Sequence, residues 1–481
     1  MLVRTGIVIV GAGFGGIGMG IALKKAGYHD FVILEKDDDL GGTWRDNSYP
    51  GCACDVPSPL YSYSYELNPA WTRLFAPQRE IWDYLRMCAR KYGVDTHIRY
   101  GCGVQRMDWD EEAGCWHITT GPGGYRARAV VAAGGALHLP SYPDIRGRTA
   151  FSGTAFHSAR WDHGADLTGK QVAVVGTGAS AIQFIPEIAG RPARLRVFQR
   201  SAPWLHPRPD TTIPARVRDT LAAAPLAARA VRDAIYWGLE ARALGFAVHP
   251  RLMTPLAALA RQHLSHQVTD PALRAKLTPD YTIGCKRILL SSSYYPALQR
   301  PNVDLITDQI TEITPAGLVT EDGTVHPADV IIYATGFKVI ESVTALNVTG
   351  RDGRQLAAAG VDGYHGITVP GFPNFFMLLG PNTGVGHTSV VFMAESQIQH
   401  IMSCLRILAR DKAVTMEVRA DAAGRFSTGL QRRLRRAVWS TGGCTNWYLD
   451  AAGINRTQWP GFSFEYWART RRARRGAYAV A

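Results

Sequence analysis

Two glycine-rich stretches carry the residue types that hold a dinucleotide. Gly11-Ala12-Gly13-Phe14-Gly15-Gly16 stands between a β-branched run, Ile7-Val8-Ile9-Val10, and an apolar stretch from Ile17 to Ala26 that ends at Gly27. In such a turn Gly11 makes the bend, Gly13 lets the backbone approach a pyrophosphate, and Gly16 lets helix pack on strand. The helix start then offers free N–H groups and partial positive charge to the phosphates. A second run, Phe31-Val32-Ile33-Leu34, ends on Glu35, 24 positions after Gly11, where a carboxylate accepts hydrogen bonds from a ribose diol. The pattern recurs as Val172–Val175, then Gly176-Thr177-Gly178-Ala179-Ser180-Ala181, a helix to about Ala189, and a strand over Leu195–Gln199. Ala181 takes the third glycine position, which the pattern permits. Here the residue 24 positions after the first glycine is Arg200. A guanidinium pairs with a ribose 2′-phosphate that a carboxylate would repel. The first site is predicted to hold an adenine dinucleotide with a free ribose, and the second NADP(H). Two such sites in one chain imply electron transfer between bound cofactors, NADPH as hydride donor and FAD as acceptor.

The elements that must position these residues define an α/β fold with two Rossmann-like dinucleotide-binding domains. A chain of 481 residues is too long for one core. The FAD domain is expected to be discontinuous, residues 1–145 and 331–481, with an NADPH domain over 150–330 between its parts. Within the latter, about 211–275 is rich in Ala, Leu and Arg at helical spacing and reads as a helical insertion lining the substrate entrance. Its apolar residues Ile235, Tyr236, Leu239, Leu244 and Phe246 read first as core, with peripheral membrane contact as the alternative. A hydrophobic fraction of 46% and a charged fraction of 19% exclude wholesale disorder. The excess of 53 basic over 40 acidic residues gives +13, a surface suited to anionic ligands. No nucleic-acid motif accompanies that charge, and the clusters Arg432–Arg436 and Arg469–Arg475 read as solvated helix faces and a mobile tail. Nothing in the chain sets an oligomeric state. The uncharged stretch Gly6–Leu23 is accounted for by the first turn, and Gly363–Ala394 is broken by Pro370, Pro373 and Pro381, so no transmembrane helix is expected. Eight cysteines without a C-x-x-C pair or Cys/His cluster predict neither a metal site nor a disulfide framework, and favour a cytoplasmic location.

Further motifs carry a resemblance. Phe151-Ser152-Gly153-Thr154-Ala155-Phe156-His157-Ser158-Ala159-Arg160-Trp161-Asp162 matches the pattern F-x-G-x-x-x-H-x-x-x-W followed by Pro or Asp, and Gly41-Gly42-Thr43-Trp44 runs on through Tyr49-Pro50-Gly51 to Asp55. With Ala133–Ala136, Ala334-Thr335-Gly336-Phe337 and Gly380-Pro381-Asn382-Thr383-Gly384, these make the chain resemble the type I Baeyer–Villiger monooxygenases along nearly its whole length. The run Val197–Trp204, which includes Arg200 and Ser201, resembles the 4-hydroxyacetophenone monooxygenase branch. Flavin-containing heteroatom monooxygenases share the fold but typically carry Tyr or Phe where Trp161 stands. They are the second reading, and an NADPH-binding sensor without oxygenase activity is the third. The dithiol flavoprotein reductases place a redox cysteine where Trp44 stands, so Cys52 and Cys54 read as packing residues.

The resemblance implies that NADPH reduces FAD, that a peroxyflavin forms with O2, and that it attacks a ketone carbonyl to give an ester or lactone. Such chemistry needs a fixed cation and a dry site, and arginine suits it because its charge does not titrate. The family's essential arginine corresponds to Arg287 in Ile283-Gly284-Cys285-Lys286-Arg287, with Lys286 as an NADP(H) contact and Asp55 as the carboxylate that orients the guanidinium. Two unit charges about 4 Å apart interact by roughly 4 kcal/mol at an effective dielectric of about 20, close to a thousandfold in rate. The resemblance also assigns Gly42, Thr43, Trp44, Tyr61 and Val104 to cofactor binding and Trp447 to closure over NADP(H). It places Phe151, Gly153, His157 and Trp161 at the linker between cofactor domains, where His157 couples NADPH binding to domain movement without transferring protons. His387, in Gly386-His387-Thr388-Ser389, is a further polar group for flavin or substrate.

Overall fold

A computed structural model describes residues 2–344, 346–357, 363–450 and 452–481. Two parallel-cored sheets carry the chain. In the first, β1 (Leu2–Val10) pairs in parallel with β2 (Phe31–Leu34) on one side and β6 (Gly124–Ala132) on the other. β3 (Ile98–Arg99) extends it beyond β2, while β4 (Val104–Asp110) and β5 (Cys115–Thr120) form an antiparallel meander beyond β6. Strands Asn347–Thr349 and Phe375–Met377 join this sheet against β4 and β6. The second sheet is all parallel, in the order Val303–Ile306, β9 (Arg194–Phe198), β8 (Gln171–Val175), Val330–Tyr333, β7 (Thr154–His157).

The period-two alternation of side chains explains why these runs are apolar throughout. Ile7 and Ile9 pack with Ile17 and Ile21 of helix α1 (Phe14–Lys25), whereas Val8 and Val10 face Trp116 and Phe375 on the opposite side. In the second sheet, Val172 and Val174 pack with Ile182 and Ile185 of α4 (Ala181–Ile188), while Ala173 and Val175 face Ile313 and Leu318. Each central strand is thus buried on both faces, and truncating one such Ile to Ala costs on the order of 2–5 kcal/mol.

Segment 211–275 is helical, as its spacing predicts: α5 (Ala215–Ala223), α6 (Pro225–Glu240), a π-turn over Leu244–Val248 and α7 (Thr254–Gln267). Of its predicted core residues Tyr236 and Phe246 are buried, whereas Leu244 is exposed. Among the described residues no helix is long and apolar enough to cross a membrane. The C-terminal segment departs from the mobile tail expected of its arginines. Helix Ser463–Thr470 packs on helix Val390–Arg410, and Tyr478–Val480 pairs antiparallel with Met416–Val418. Tyr478 is buried with its hydroxyl 2.6 Å from His400 Nε2, and Arg469 and Arg475 pair with Glu465 and Asp411. The arginines of this segment are exposed, as their charge predicts, while Tyr478, the packed helix and the strand pairing hold its backbone in place.

Candidate functional site

The first glycine turn has the geometry its residues predict. Gly11 has φ +101°, and a Cβ there would lie 2.8 Å from the Ala133 carbonyl oxygen. A Cβ on Gly16 would lie 1.8 Å from the Gly11 carbonyl oxygen, so strand and helix meet backbone to backbone. Gly13 faces open space, with only Gly42 Cα at 3.9 Å from its ideal Cβ. Helix α1 starts without a side-chain cap and without an acidic residue in its first turn, leaving its N–H groups free for an anion. Glu35, 4% exposed, ends β2 and accepts from the Ala12 N–H at 2.8 Å and the Asp37 N–H at 3.2 Å. Its carboxylate is also 3.6 Å from Arg45 Nη1.

Against this turn lies the segment Gly41–Trp44, where Gly41 N–H donates to the Ala12 carbonyl at 2.9 Å and Gly42 takes φ +53°. Thr43 opens the short helix Thr43–Asp46, and Trp44 Nε1 donates to the Tyr61 hydroxyl at 3.0 Å. Tyr61 in turn stacks edge-on against Phe14 at 5.3 Å, and burial pushes its phenol up from the ordinary value. Val104 packs toward the Val10 and Leu34 cluster, two residues beyond Cys102, whose N–H donates to the Glu35 carbonyl.

The second turn repeats the first. Gly176 has φ +106° with its Cβ position 2.6 Å from the Ala334 carbonyl oxygen, and Gly178 is open, with that oxygen 4.0 Å away. Helix α4 begins behind Ser180 without a side-chain cap, and Ala181 is fully buried, so this helix accommodates the methyl that Gly16 excludes. At the end of β9, Arg200 is exposed beside Ser201. Ser201 accepts from Thr177 Oγ1 through its carbonyl at 3.4 Å and from Lys286 Nζ through its hydroxyl at 2.6 Å. Burial, then the Arg200 charge, lowers the Lys286 ammonium pKa from its ordinary value.

Arg287, next in the chain, reaches the other way. Its Nε and Nη2 donate to Asp55 Oδ2 at 2.5 Å and Oδ1 at 2.8 Å across 232 residues of sequence. Burial favours the neutral form of Asp55, but Arg287 and then Arg208 hold its carboxyl below the usual range. Asp55 in turn raises the guanidinium further above its ordinary value, against burial. Side-chain exposures of 34% and 29% leave the pair within reach of a small molecule. Tyr448, buried, packs against the Arg287 backbone.

The linker fingerprint is structural in its contacts. A Cβ on Gly153 would lie 2.3 Å from the Asp329 carbonyl oxygen, with Phe151 packed beside it. Trp161 contacts Phe156 of β7 and Phe184 of α4, both at 5.2 Å. His157 ends β7 fully buried, accepts from the Ala159 N–H at 3.1 Å, and meets Tyr142 and Phe337 edge-on. Burial lowers its pKa to about 4, so it is neutral near pH 7. Trp447 is 51% exposed and rests on Tyr448 at 4.4 Å.

One disulfide departs from the cysteine expectation: Cys285 is bonded to Cys444. The two are 159 residues apart and come together because Thr282 N–H donates to the Gly442 carbonyl at 2.9 Å, which no local spacing signals. Cys52 and Cys54 are unpaired and buried, and burial pushes the Cys52 thiol up to about 12, which leaves it inert. Among the described residues no group of three His, Cys, Asp or Glu side chains is placed to hold a metal ion. Sequence reasoning missed Arg45 beside Glu35, Arg208 near Asp55, and the buried contact of Glu240 with His387. Only the local density of charge around Arg45 gave any signal.

The chain is similar to known proteins along nearly its whole length. The family described as pyridine nucleotide-disulphide oxidoreductase matches residues 8–232. A Baeyer-Villiger monooxygenase of Pseudomonas aeruginosa is 46% identical over 477 residues, covering 98% of this chain and 90% of that protein. Another, of Streptomyces coelicolor, is 46% identical over 479 residues, covering 98% and 92%. The structure of OTEMO in complex with FAD and NADP superposes with a TM-score of 0.89 at 26% identity, covering 99% of both chains. Closed cyclohexanone monooxygenase gives 0.87 at 25% identity over 100% of both. With paired glycine turns, an arginine held by a distant aspartate, and this identity sustained from end to end, the chain belongs to the Baeyer–Villiger monooxygenase family.

Proposed function

We propose that the protein is an NADPH- and FAD-dependent monooxygenase that inserts one oxygen atom of O2 beside a ketone carbonyl, giving an ester or lactone. One observation carries this reading: adjacent residues Lys286 and Arg287 reach Ser201 at the second glycine turn and Asp55, six residues before the Tyr61 that packs on Phe14 of the first. This supports a fixed cation lying between the two proposed cofactor sites. The residues present fit both cofactors. Open Gly13, the uncapped start of α1 and Glu35 suit the adenosine diphosphate of FAD, and open Gly178, Arg200, Ser201 and Lys286 suit the phosphates of NADP(H). On this reading residues 1–145 and 331–481 bind FAD, and residues 150–330 bind NADPH.

Bound FAD would supply the redox chemistry that links NADPH oxidation to the activation of O2. The chain's own residues supply the setting. Arg287 presents a permanent positive charge to the developing oxyanion, and Asp55 fixes its plane through two parallel bonds. Trp44 and Tyr61 wall the flavin side against water, which would divert the reaction to hydrogen peroxide. His157, buried and neutral, acts by position at the edge of the second sheet, and Trp447 closes over NADP(H). The Val197–Trp204 run supports placement near the 4-hydroxyacetophenone monooxygenase branch, and we assign a cytoplasmic location. The test is to purify the protein, record its flavin spectrum, and follow NADPH consumption with cyclic, linear and aryl ketones and with thioethers. Flavin binding with ester or lactone product is expected. A colourless protein that takes up no FAD, or one oxygenating only sulfur, contradicts the proposal.

A further inference from the structure

Among the contacts that join the helical insertion to the C-terminal part of the chain is a buried carboxylate. Glu240, the last residue of α6, is 1% exposed. It accepts from the Ser463 N–H, the Ser463 hydroxyl at 2.8 Å, the Phe464 N–H at 3.3 Å, and His387 Nε2 at 3.2 Å. Tyr236, one turn earlier on α6, bonds the same Ser463 hydroxyl at 3.0 Å. An ionised carboxylate only accepts, so the proton of this contact sits on Nε2 and the tautomer of His387 is set. The other ring nitrogen, Nδ1, belongs to a side chain 1% exposed and has no hydrogen-bond partner among the described residues. A buried nitrogen left in this way costs stability unless something bonds to it.

His387 stands on a wall shared with the arginine segment. Phe246, delivered by the same insertion, lies 3.3 Å from the Cβ position of Gly386 and 3.1 Å from that of Gly284, three residues before Arg287. Phe246 also stacks on Trp439 at 5.8 Å. One aromatic ring thus spaces the His387 segment from the Arg287 segment.

We propose that Glu240 is a positioning residue that fixes His387, and that His387 Nδ1 accepts a hydrogen bond from an N–H or O–H group of a bound molecule. Resting on the oxygenase reading, two bound molecules offer such a donor: the carboxamide of the nicotinamide, or a hydroxyl group carried by the ketone. The insertion then does more than cover the site, since it sets which nitrogen of this ring meets the ligand.

The test uses FAD-loaded protein and measures dissociation constants for NADP+, for a hydroxylated ketone and for its methyl ether by titration calorimetry. In His387→Gln the amide nitrogen takes the place of Nε2 and keeps the Glu240 contact, while nothing replaces Nδ1. This variant is expected to keep the wild-type Tm and flavin content and to lose about tenfold in affinity. Loss confined to NADP+ identifies the carboxamide, and loss confined to the hydroxylated ketone identifies the substrate hydroxyl. His387→Asn, whose amide oxygen overlays Nδ1, is expected to retain more ligand affinity and to lower the Tm. In Glu240→Gln the 15N resonance of His387 Nδ1, assigned by its absence in His387→Gln, is expected to move from an acceptor position to that of a tautomer mixture. Unchanged affinities for all three ligands in His387→Gln overturn the proposal, as does an unmoved resonance in Glu240→Gln. Binding is read without turnover, so a wild-type protein that makes no ester defeats the oxygenase reading and leaves this test standing.

Discussion

The two glycine turns share a backbone and differ at the strand end that each turn faces. In the first, Glu35 is buried and already bonded to the Ala12 and Asp37 N–H groups, with Arg45 beside it. In the second, Arg200 is exposed, and its neighbours Ser201 and Lys286 are polar or basic. A buried, satisfied carboxylate is preorganised for a neutral diol and for a cofactor that stays. An exposed guanidinium in a basic setting suits a doubly charged phosphate on a ligand that comes and goes. On the proposed reading, the same loop geometry separates a resident cofactor from a cosubstrate by the sign and burial of one residue. The third glycine position differs in packing as well: Gly16 tolerates no Cβ, whereas Ala181 carries one without strain.

The sharpest break of this contrast is Gly16→Ala. Its methyl would lie 1.8 Å from the Gly11 carbonyl oxygen, so the variant is expected to purify without flavin or not to fold, as absorbance and circular dichroism would show. Acid acts on both units, since burial depresses His400, on the helix packed against α1, as well as His157. His157, at the edge of the second sheet, has its pKa depressed by burial from 6.5 to about 4, so the unfolded chain binds its proton first. Its contribution is complete above pH 6.5 and lost as pH falls toward 4, by about 3 kcal/mol. Denaturant melts should show an acid-linked loss in the wild type that is smaller by that amount in His157→Asn, where His400 still contributes. Arg200→Glu should raise the KM for NADPH about a hundredfold and leave the flavin content unchanged. Ala181→Gly should cost about 1–2 kcal/mol, from added backbone freedom at a helix start and the loss of one buried methyl. A large effect there would remove the asymmetry between the turns.

Much of this fold was legible because its determinants are local. A β-branched run, a glycine turn and an apolar helix lie within 24 residues, and the charge at the next strand end is read directly from the chain. Contacts between distant segments were not legible from spacing. Arg287 and Asp55 were paired by family resemblance, since 232 residues separate them. The Cys285–Cys444 bond, the anchoring of the tail by Tyr478, and the Glu240–His387 contact depend on how whole segments dock. The disulfide also joins the segment of Arg287 to that of Trp447, so two predicted site residues are linked by a feature their cysteines did not announce.

The central claim is that the Arg287 charge, held by Asp55, directs reactive oxygen to the ketone. Arg287→Ala measures it most directly, with NADPH oxidation, hydrogen peroxide and ester quantified in the same reaction. The account predicts that NADPH is still oxidised, that peroxide replaces ester, and that ester formation falls by about a thousandfold. Ester at the wild-type rate, with NADPH and product still matched one to one, would contradict it.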